Sequence, residues 1–348
     1  NARPRIGYRG GRGRVNSVLV TGAAGFIGGH TTAAFAAAGW RVWALVHRHR
    51  STRLDRLERE GAVRVLTGDI TDPASLGEAL AVCRENGPPP VVAHCAGRAS
   101  DVGRDRQFRR ANYESVRYLG EAVLRGEVAH LVFVSTTDVY GILDHAGTGE
   151  DVTPLRAVPN NPYPRYKIQA EHWLREHVPA ERWTVVRPAA VWGADDPTMS
   201  ARVVSFLRIS PVIVHFGPWR GRNRWPLAHV RNVAQAIRLA ATLPMARGLA
   251  INVLDSERTS VDEFYRLLAA AHFPGRRYGT FCLPRWVGWP FAAGVSAISD
   301  LLGLAEPFTD PSRYALAVVS HNLDFANHRW LALMQEGGIT PVTREQGV

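Results

Sequence analysis

The chain has one lysine. Of its 42 Lys and Arg positions, all but Lys167 are Arg. Arg therefore carries the ordinary surface charge. The retained Lys stands where a compact, titratable ammonium does something that a planar, permanently charged guanidinium does not. Cysteine is almost as scarce. Cys83, Cys95 and Cys282 are odd in number and far apart, with no CxxC pair and no Cys/His ligand spacing. That argues against structural zinc and for a reducing compartment. No HExxH or clustered His/carboxylate set occurs either, so no metal is expected at the site. No apolar run is long enough to span a bilayer and no secretory core is visible, so the expected location is cytoplasmic. Acidic residues are outnumbered, leaving a net charge of +11, but Arg3, Arg5, Arg9, Arg12 and Arg14 alone supply five of those charges. Arg-Gly stretches of this kind can bind RNA. No aromatic-studded basic surface follows, so residues 1–16 are expected to be a disordered tail without a specific nucleic-acid partner.

What is present has an order. Ser17–Thr21 is a short apolar run, followed by Gly22-Ala-Ala-Gly25-Phe26-Ile27-Gly28-Gly29 and an Ala-rich helical pattern to Ala38. Strand, glycine turn and helix together make a dinucleotide-binding signal, because glycines let backbone N–H groups approach a pyrophosphate at the helix N-terminus. Arg41–Val46 reads as a second strand ending in His47 and Arg48, where an NAD-preferring fold usually carries a carboxylate for the ribose 2′-hydroxyl. Positive charge there suits the 2′-phosphate of NADP, with NAD as the alternative. Further strands are expected at Val63–Leu66, Val91–His94, Leu131–Val134 and Trp183–Arg187, alternating with helices. That is the pattern of a doubly wound α/β fold with a parallel sheet covered on both faces. The domain reading is a Rossmann domain over 17–192. A smaller, mainly substrate-binding domain follows over 193–348, with segments near 225–254 returning to the Rossmann core. Trp192, Trp219, Trp225, Trp286 and Trp289 thicken this second half.

The chemistry-bearing stretch is Asn-Pro-Tyr-Pro-Arg-Tyr-Lys over 161–167, where Tyr163 and Lys167 lie four apart and so one helical turn apart on one face. An ammonium near a phenol favours the phenolate, so Lys167 is expected to lower the Tyr163 pKa and make it a general acid/base. Pro164 directly after the Tyr is expected to place Tyr163 at the helix N-cap.

The joint set Thr21-Gly22-x-x-Gly25-x-x-Gly28, Gly68-Asp69, Ala96-Gly97, Ser135-Thr136, Tyr140-Gly141, Tyr163-x-x-x-Lys167 and Arg187-Pro188 resembles an extended short-chain dehydrogenase/reductase over about 17–340. The C-terminal half is similar to the 3β-hydroxysteroid dehydrogenase branch, through His229-Val-Arg-Asn-Val-Ala234, Ile251-Asn-Val-Leu-Asp255, Leu323-Asp-Phe-Ala-Asn327 and Ile339-Thr-Pro341. Arg231 departs from the pattern, standing where an acidic residue is common. The resemblance implies a catalytic set of Thr136, Tyr163 and Lys167, supported by Asn112. It implies cofactor contacts at Gly22, Gly25, Phe26, Ile27, Gly28, Arg48, Asp69, Ile70, Ala96, Gly97, Tyr163, Lys167 and Arg187.

Function is expected to be hydride transfer between a nicotinamide and a secondary alcohol or ketone on a hydrophobic, sterol- or lipid-like substrate. The tryptophan-rich second half and the apolar stretch 284–304 favour that substrate class. That stretch reads as a flap, a core helix or a peripheral membrane contact; Pro290, Gly294 and Asp300 argue against a spanning helix. Two rivals remain open. A sugar-nucleotide epimerase or dehydratase would use the same triad, with Arg220, Arg222 and Arg224 available for a diphosphate. A cofactor-binding protein without turnover would need no phenolic acid/base. A second copy of the chain, as a homodimer, completes the expected partners.

Overall fold

The computed structural model describes residues 16–347, apart from residues 86, 101, 153, 158–160, 303 and 305–311. The expected disorder of the basic tail thus falls almost wholly outside the described residues. In chain order the first half runs β1 (Ser17–Thr21), α1 (Phe26–Ala37), β2 (Arg41–Val46), α2 (Thr52–Arg59), β3 (Val63–Thr67), α3 (Pro73–Arg84) and β4 (Val91–His94). It continues with α4 (Asp105–Arg109), a π-helical turn over Arg110–Glu114, α5 (Ser115–Leu124), β5 (His130–Val134), β6 (His145–Thr148), α6 (Pro162–His177) and β7 (Trp183–Pro188).

The second half runs β8 (Ala190–Trp192), α7 (Met199–Ile209), β9 (Val212–Phe216), β10 (Leu227–His229), α8 (Val230–Thr242), β11 (Ala250–Val253) and α9 (Val261–His272). It ends with β12 (Gly279–Leu283), α10 (Arg285–Leu301), α11 (Arg313–Ser320), β13 (Leu323–Phe325), α12 (His328–Glu336) and α13 (Arg344–Gly347).

Seven strands form one parallel sheet in the order β11-β7-β5-β4-β1-β2-β3. Successive side chains of a strand point to opposite faces, so each strand feeds two cores. Val18 and Val20 of β1 pack with Phe35 of α1 and with Val233 and Ile237 of α8 on one face. Leu19 packs with Leu76 and Leu80 of α3 and with Val116 and Leu119 of α5 on the other. Strand order reverses between β1 and β4, and the crevice at the carboxyl ends of those strands is where such sheets take their ligands. The expected doubly wound fold is therefore present. β11, at the far edge, pairs with β7 in parallel.

Three two-stranded parallel pairs, β8 with β10, β9 with β12 and β6 with β13, build the rest. β8, β9 and β10 share a core of Trp192, Val203, Leu207, Ile213, Trp225 and Phe264, whereas Leu323 and Phe325 of β13 join the core of the main sheet. The tryptophan density of the second half thus divides by environment. Trp192 and Trp225 are core residues, Trp219 donates to Asp144 Oδ1, and Trp286 and Trp289 are exposed on α10. Core burial, and not a cleft, accounts for the first two. Among the described residues no helix is long and apolar enough to cross a membrane.

One ion pair fastens α6 to the sheet. Arg187 of β7 is fully buried and donates to Glu171 through Nε at 3.0 Å and Nη2 at 2.5 Å. Ser135 Oγ donates to Glu171 Oε1, and Arg187 Nη1 reaches the Tyr140 hydroxyl, which donates to Asn252 Oδ1 on β11. Opposite charges hold both groups ionised against burial. Truncating one member leaves the other charged and unpaired in the interior. Glu171→Ala should therefore cost about 3–5 kcal/mol, read as a fall in the urea midpoint without a change in slope.

Candidate active site

Gly22 follows β1 with φ +66°, and a Cβ there would come within 2.9 Å of the Ala96 Cα. A Cβ on Gly28 would sit 2.1 Å from the Gly22 carbonyl oxygen. The turn is closed by backbone alone. Helix α1 begins behind it with no acidic residue in its first turn, and its N-cap, Gly25, brings no side-chain cap. The first N–H groups of α1 are thus left to an anion, and a dinucleotide pyrophosphate fits them by charge and by space. Phe26 and Ile27 open that helix, Ile27 packing on the core and Phe26 standing edge-on to His30.

Asp69 lies past β3. Its backbone N–H donates to Ser75 Oγ and its carboxylate accepts from the Thr71 N–H. Burial works to raise its pKa, but the Thr71 bonds and the charges of His47 and Arg110 win and hold it below the usual carboxylate range. Ile70 packs on the adjoining core. Ala96 N donates to Thr21 Oγ1, which joins the ends of β4 and β1. Arg48 is exposed beyond the end of β2. The glycine turn and Ala96 lie at the crevice between β1 and β4, with Arg48 and Asp69 past the ends of β2 and β3 on one side of it, and the donor set suits an adenine dinucleotide. Arg187 does not belong with them. It is fully buried and engaged by Glu171 and Tyr140, so its expected part in cofactor contact is replaced by a structural one.

The catalytic candidates come from three elements. Asn161 caps α6 by accepting from Tyr163 N at 3.0 Å, and Pro162 supplies the first helical residue. Tyr163 is therefore inside the first turn, not at the N-cap that Pro164 suggests. Thr136 follows β5 and caps the short 3₁₀ turn Thr137–Tyr140, its hydroxyl accepting from Asp138 N. The same hydroxyl stands near enough to the Tyr163 phenol to pull its pKa down. Lys167 is almost fully buried, donates to Val134 O at 2.7 Å and lies over the rings of Phe133 and Tyr163 at 4.7 and 5.9 Å. A Cβ added to Gly97 would come 3.3 Å from Lys167 Nζ and 2.7 Å from Asn112 Oδ1, so this backbone, Lys167 and Asn112 converge. Asn112 sits in the π-helical turn, an irregularity frequent at functional sites. Its amide clasps Arg98, accepting from N at 2.9 Å and donating to O at 3.0 Å.

The electrostatics differ from the expected pattern. Burial and the neighbouring Asp138 carboxylate push the Tyr163 phenol up, and only Thr136 pulls it down. Burial brings Lys167 down to about 7, against the opposing pull of Cys95 and Glu171. The net shift of Tyr163 is thus upward, the opposite of the direction expected from Lys167, whose amine is itself desolvated and faces a backbone carbonyl. Two groups not singled out in the sequence take part. Asp138 is raised by burial, and its carboxylate accepts from the Tyr314 hydroxyl of α11 at 2.6 Å. Arg53 bonds Asp195, and its guanidinium lies 3.6 Å from where a Cβ of Gly29 would be. The sequence signal for Asp138 is its position two residues past Thr136; Arg53 has none, its neighbours being remote in sequence.

The chain spans a little under two thirds of a curated relative, the 4-hydroxy-2-methyl-3-oxo-4-farnesyl-3,4-dihydroquinoline-1-oxide ketoreductase of Stigmatella aurantiaca. The two are 30% identical over 224 residues, 64% of each protein. It is 28% identical over 290 residues to the 3 beta-hydroxysteroid dehydrogenase/Delta 5→4-isomerase of Mycobacterium tuberculosis, 78% of this chain and 75% of that one. In fold it is similar to the UDP-glucose 4-epimerase of Thermus thermophilus solved with NAD. That match has a TM-score of 0.66 at 24% identity, over 95% of this chain and 96% of the other. The glycine turn, the sheet and the first relatives agree with a match to the NAD dependent epimerase/dehydratase family over residues 18–253. The chain belongs to that family, the extended short-chain dehydrogenases/reductases, on the side that includes 3β-hydroxysteroid dehydrogenases.

Proposed function

We propose that the protein is an NADP-dependent oxidoreductase that interconverts a ketone and a secondary alcohol on a hydrophobic, ring- or chain-bearing substrate. The observation that carries this reading is the convergence of Thr136 on the Tyr163 phenol, with Lys167 one turn on over the Tyr163 ring and facing Gly97. A bound nicotinamide supplies or accepts the hydride. In the reducing direction Tyr163 gives its phenolic proton to the carbonyl oxygen as the carbonyl carbon gains hydride, and the reverse transfer serves oxidation. A phenol held protonated by burial favours the donor role, hence ketone reduction. Thr136 positions the oxygen by a hydrogen bond, and Lys167 stands where it meets a cofactor ribose. The substrate class is supported by the names of the two relatives, one farnesyl-bearing and one a steroid enzyme.

The specific rival is a sugar-nucleotide epimerase or dehydratase. Arg220 and Arg222, exposed in the turn after β9, favour it because a diphosphate needs converging cations. Net formation of oxidised or reduced cofactor with sterol or lipid ketones and alcohols separates the two. Epimerised or dehydrated UDP- or dTDP-sugar without net cofactor change overturns the proposal.

Tyr163→Phe keeps the packed ring and removes the proton carrier, so turnover should fall by about 10²–10⁴-fold while cofactor affinity stays within about twofold by fluorescence titration. For the cofactor, the exposed guanidinium of Arg48, beside His47 at the end of β2, should favour the 2′-phosphate. NADPH should bind more tightly than NADH, and Arg48→Ala should erase part of the difference. Tighter NADH binding by the wild type would reverse the assignment. Lys167 also predicts a pH effect on stability. Its folded pKa of about 7 lies below the ordinary 10.5, so between those values the unfolded chain binds the extra proton and stability rises with pH. In the cofactor-free protein, Tm of the wild type relative to Lys167→Met should therefore climb from pH 7 toward 10. A flat difference would mean that the ammonium stays charged in the fold.

A further inference from the structure

Helix α10 presents an apolar face to solvent. Ala292, Val295 and Ser299 turn inward, and Gly288 abuts Phe216 of β9 and Leu316 of α11. The opposite face carries Trp286, Phe291, Ile298 and Leu301, exposed by 75, 57, 48 and 85%. Between Arg285 and Asp300 the sequence has no ionisable residue at all. A solvent-facing helix is ordinarily charged on its outer side, and one that is apolar all round is covered by something.

The charge around this face says what covers it. In sequence no Asp or Glu occurs between Glu263 and Asp300, whereas Arg276, Arg277 and Arg285 do; Arg266 is paired with Asp262. At the head of α10 a groove of about 410 Å³ is bordered by Arg285 and by Arg220 of the turn after β9. Arg220 holds φ +53° there. The exposed aromatic rings of α10, with Arg285 and Arg220 at its head, match the boundary between acyl chains and anionic headgroups. A second copy of the chain on the same face would set arginines against arginines about a two-fold axis.

We propose that the outer face of α10 and its flanking arginines dock the protein on an anionic lipid bilayer, the helix lying in the interface. At 17 residues with Pro290 inside it, α10 suits a helix lying flat. The docking stands whether or not the substrate reading does. If both hold, the surface that meets lipid adjoins the active site, because α11, which packs on α10, carries the Tyr314 that bonds Asp138.

The test is co-sedimentation of the whole protein with phosphatidylcholine vesicles, with and without phosphatidylglycerol. The wild type should pellet with the anionic vesicles. The Trp286→Glu/Phe291→Glu double variant should lose at least about tenfold in partitioning, with unchanged NADPH binding as its fold control. Arg220→Ser and Arg285→Ser should each cost about fivefold on anionic vesicles and little on neutral ones. Should the double variant fail to fold, brominated acyl chains in the same vesicles provide the second reading, quenching wild-type tryptophan fluorescence. Absent pelleting, absent quenching, or pelleting indifferent to the folded double variant would overturn the proposal. So would ultracentrifugation showing that the double variant only dissolves a dimer.

Discussion

Glu171 is the fixed point of this molecule. It lies on α6 two turns beyond Tyr163 and one beyond Lys167, so the three side chains form a stripe along one helix face. Arg187 and Ser135 hold its carboxylate from β7 and from the end of β5. Through Tyr140 the same cluster reaches Asn252 of β11. An α-helix free to slide or rotate would carry Tyr163 away from Thr136. The buried pair fixes its phase against the sheet at the cost of desolvating two charges, a cost that bidentate geometry offsets.

The ionisable groups around the catalytic candidates follow a single rule. Tyr163 and Asp138 are raised and Lys167 is lowered, each driven first by burial. All three are shifted toward their neutral forms. Where a guanidinium meets a carboxylate squarely, as at Glu171, charge survives in the interior. His94, buried between Thr21 and Ser115 and lowered to about 3, extends the neutral pattern to the sheet. A site of this kind is preorganised for proton exchange between neutral partners, and it acquires its charge from what binds.

Much of the architecture is legible in the sequence, because the signals are local. The glycine turn, the alternation of apolar runs with helices and the Tyr–Lys spacing each lie within one or two elements. What is not legible depends on distance. The Arg187–Glu171 pair joins a strand to a helix, and from the Arg-Pro dipeptide alone Arg187 reads as a cofactor ligand. Tyr163 reads as a cap from Pro164, but Asn161 outcompetes it for that position. The shift of Tyr163 depends on burial and on Asp138, neither visible in a spacing of four. Tryptophan density cannot separate Trp192, walled in beside Phe264, from Trp286 in the open, because composition carries no direction.

The solitary lysine also determines how the molecule meets amine-directed reagents. Apart from an α-amine, acylating and cross-linking esters find no surface amine, for every other Lys or Arg position is an arginine. The single ε-amine is shielded in the fold, and once uncovered it loses the burial that lowers its pKa, so its labelling quickens as pH rises toward the ordinary lysine range. Covalent labelling therefore becomes a gauge of breathing at the catalytic helix, with one adduct mass marking one opening event.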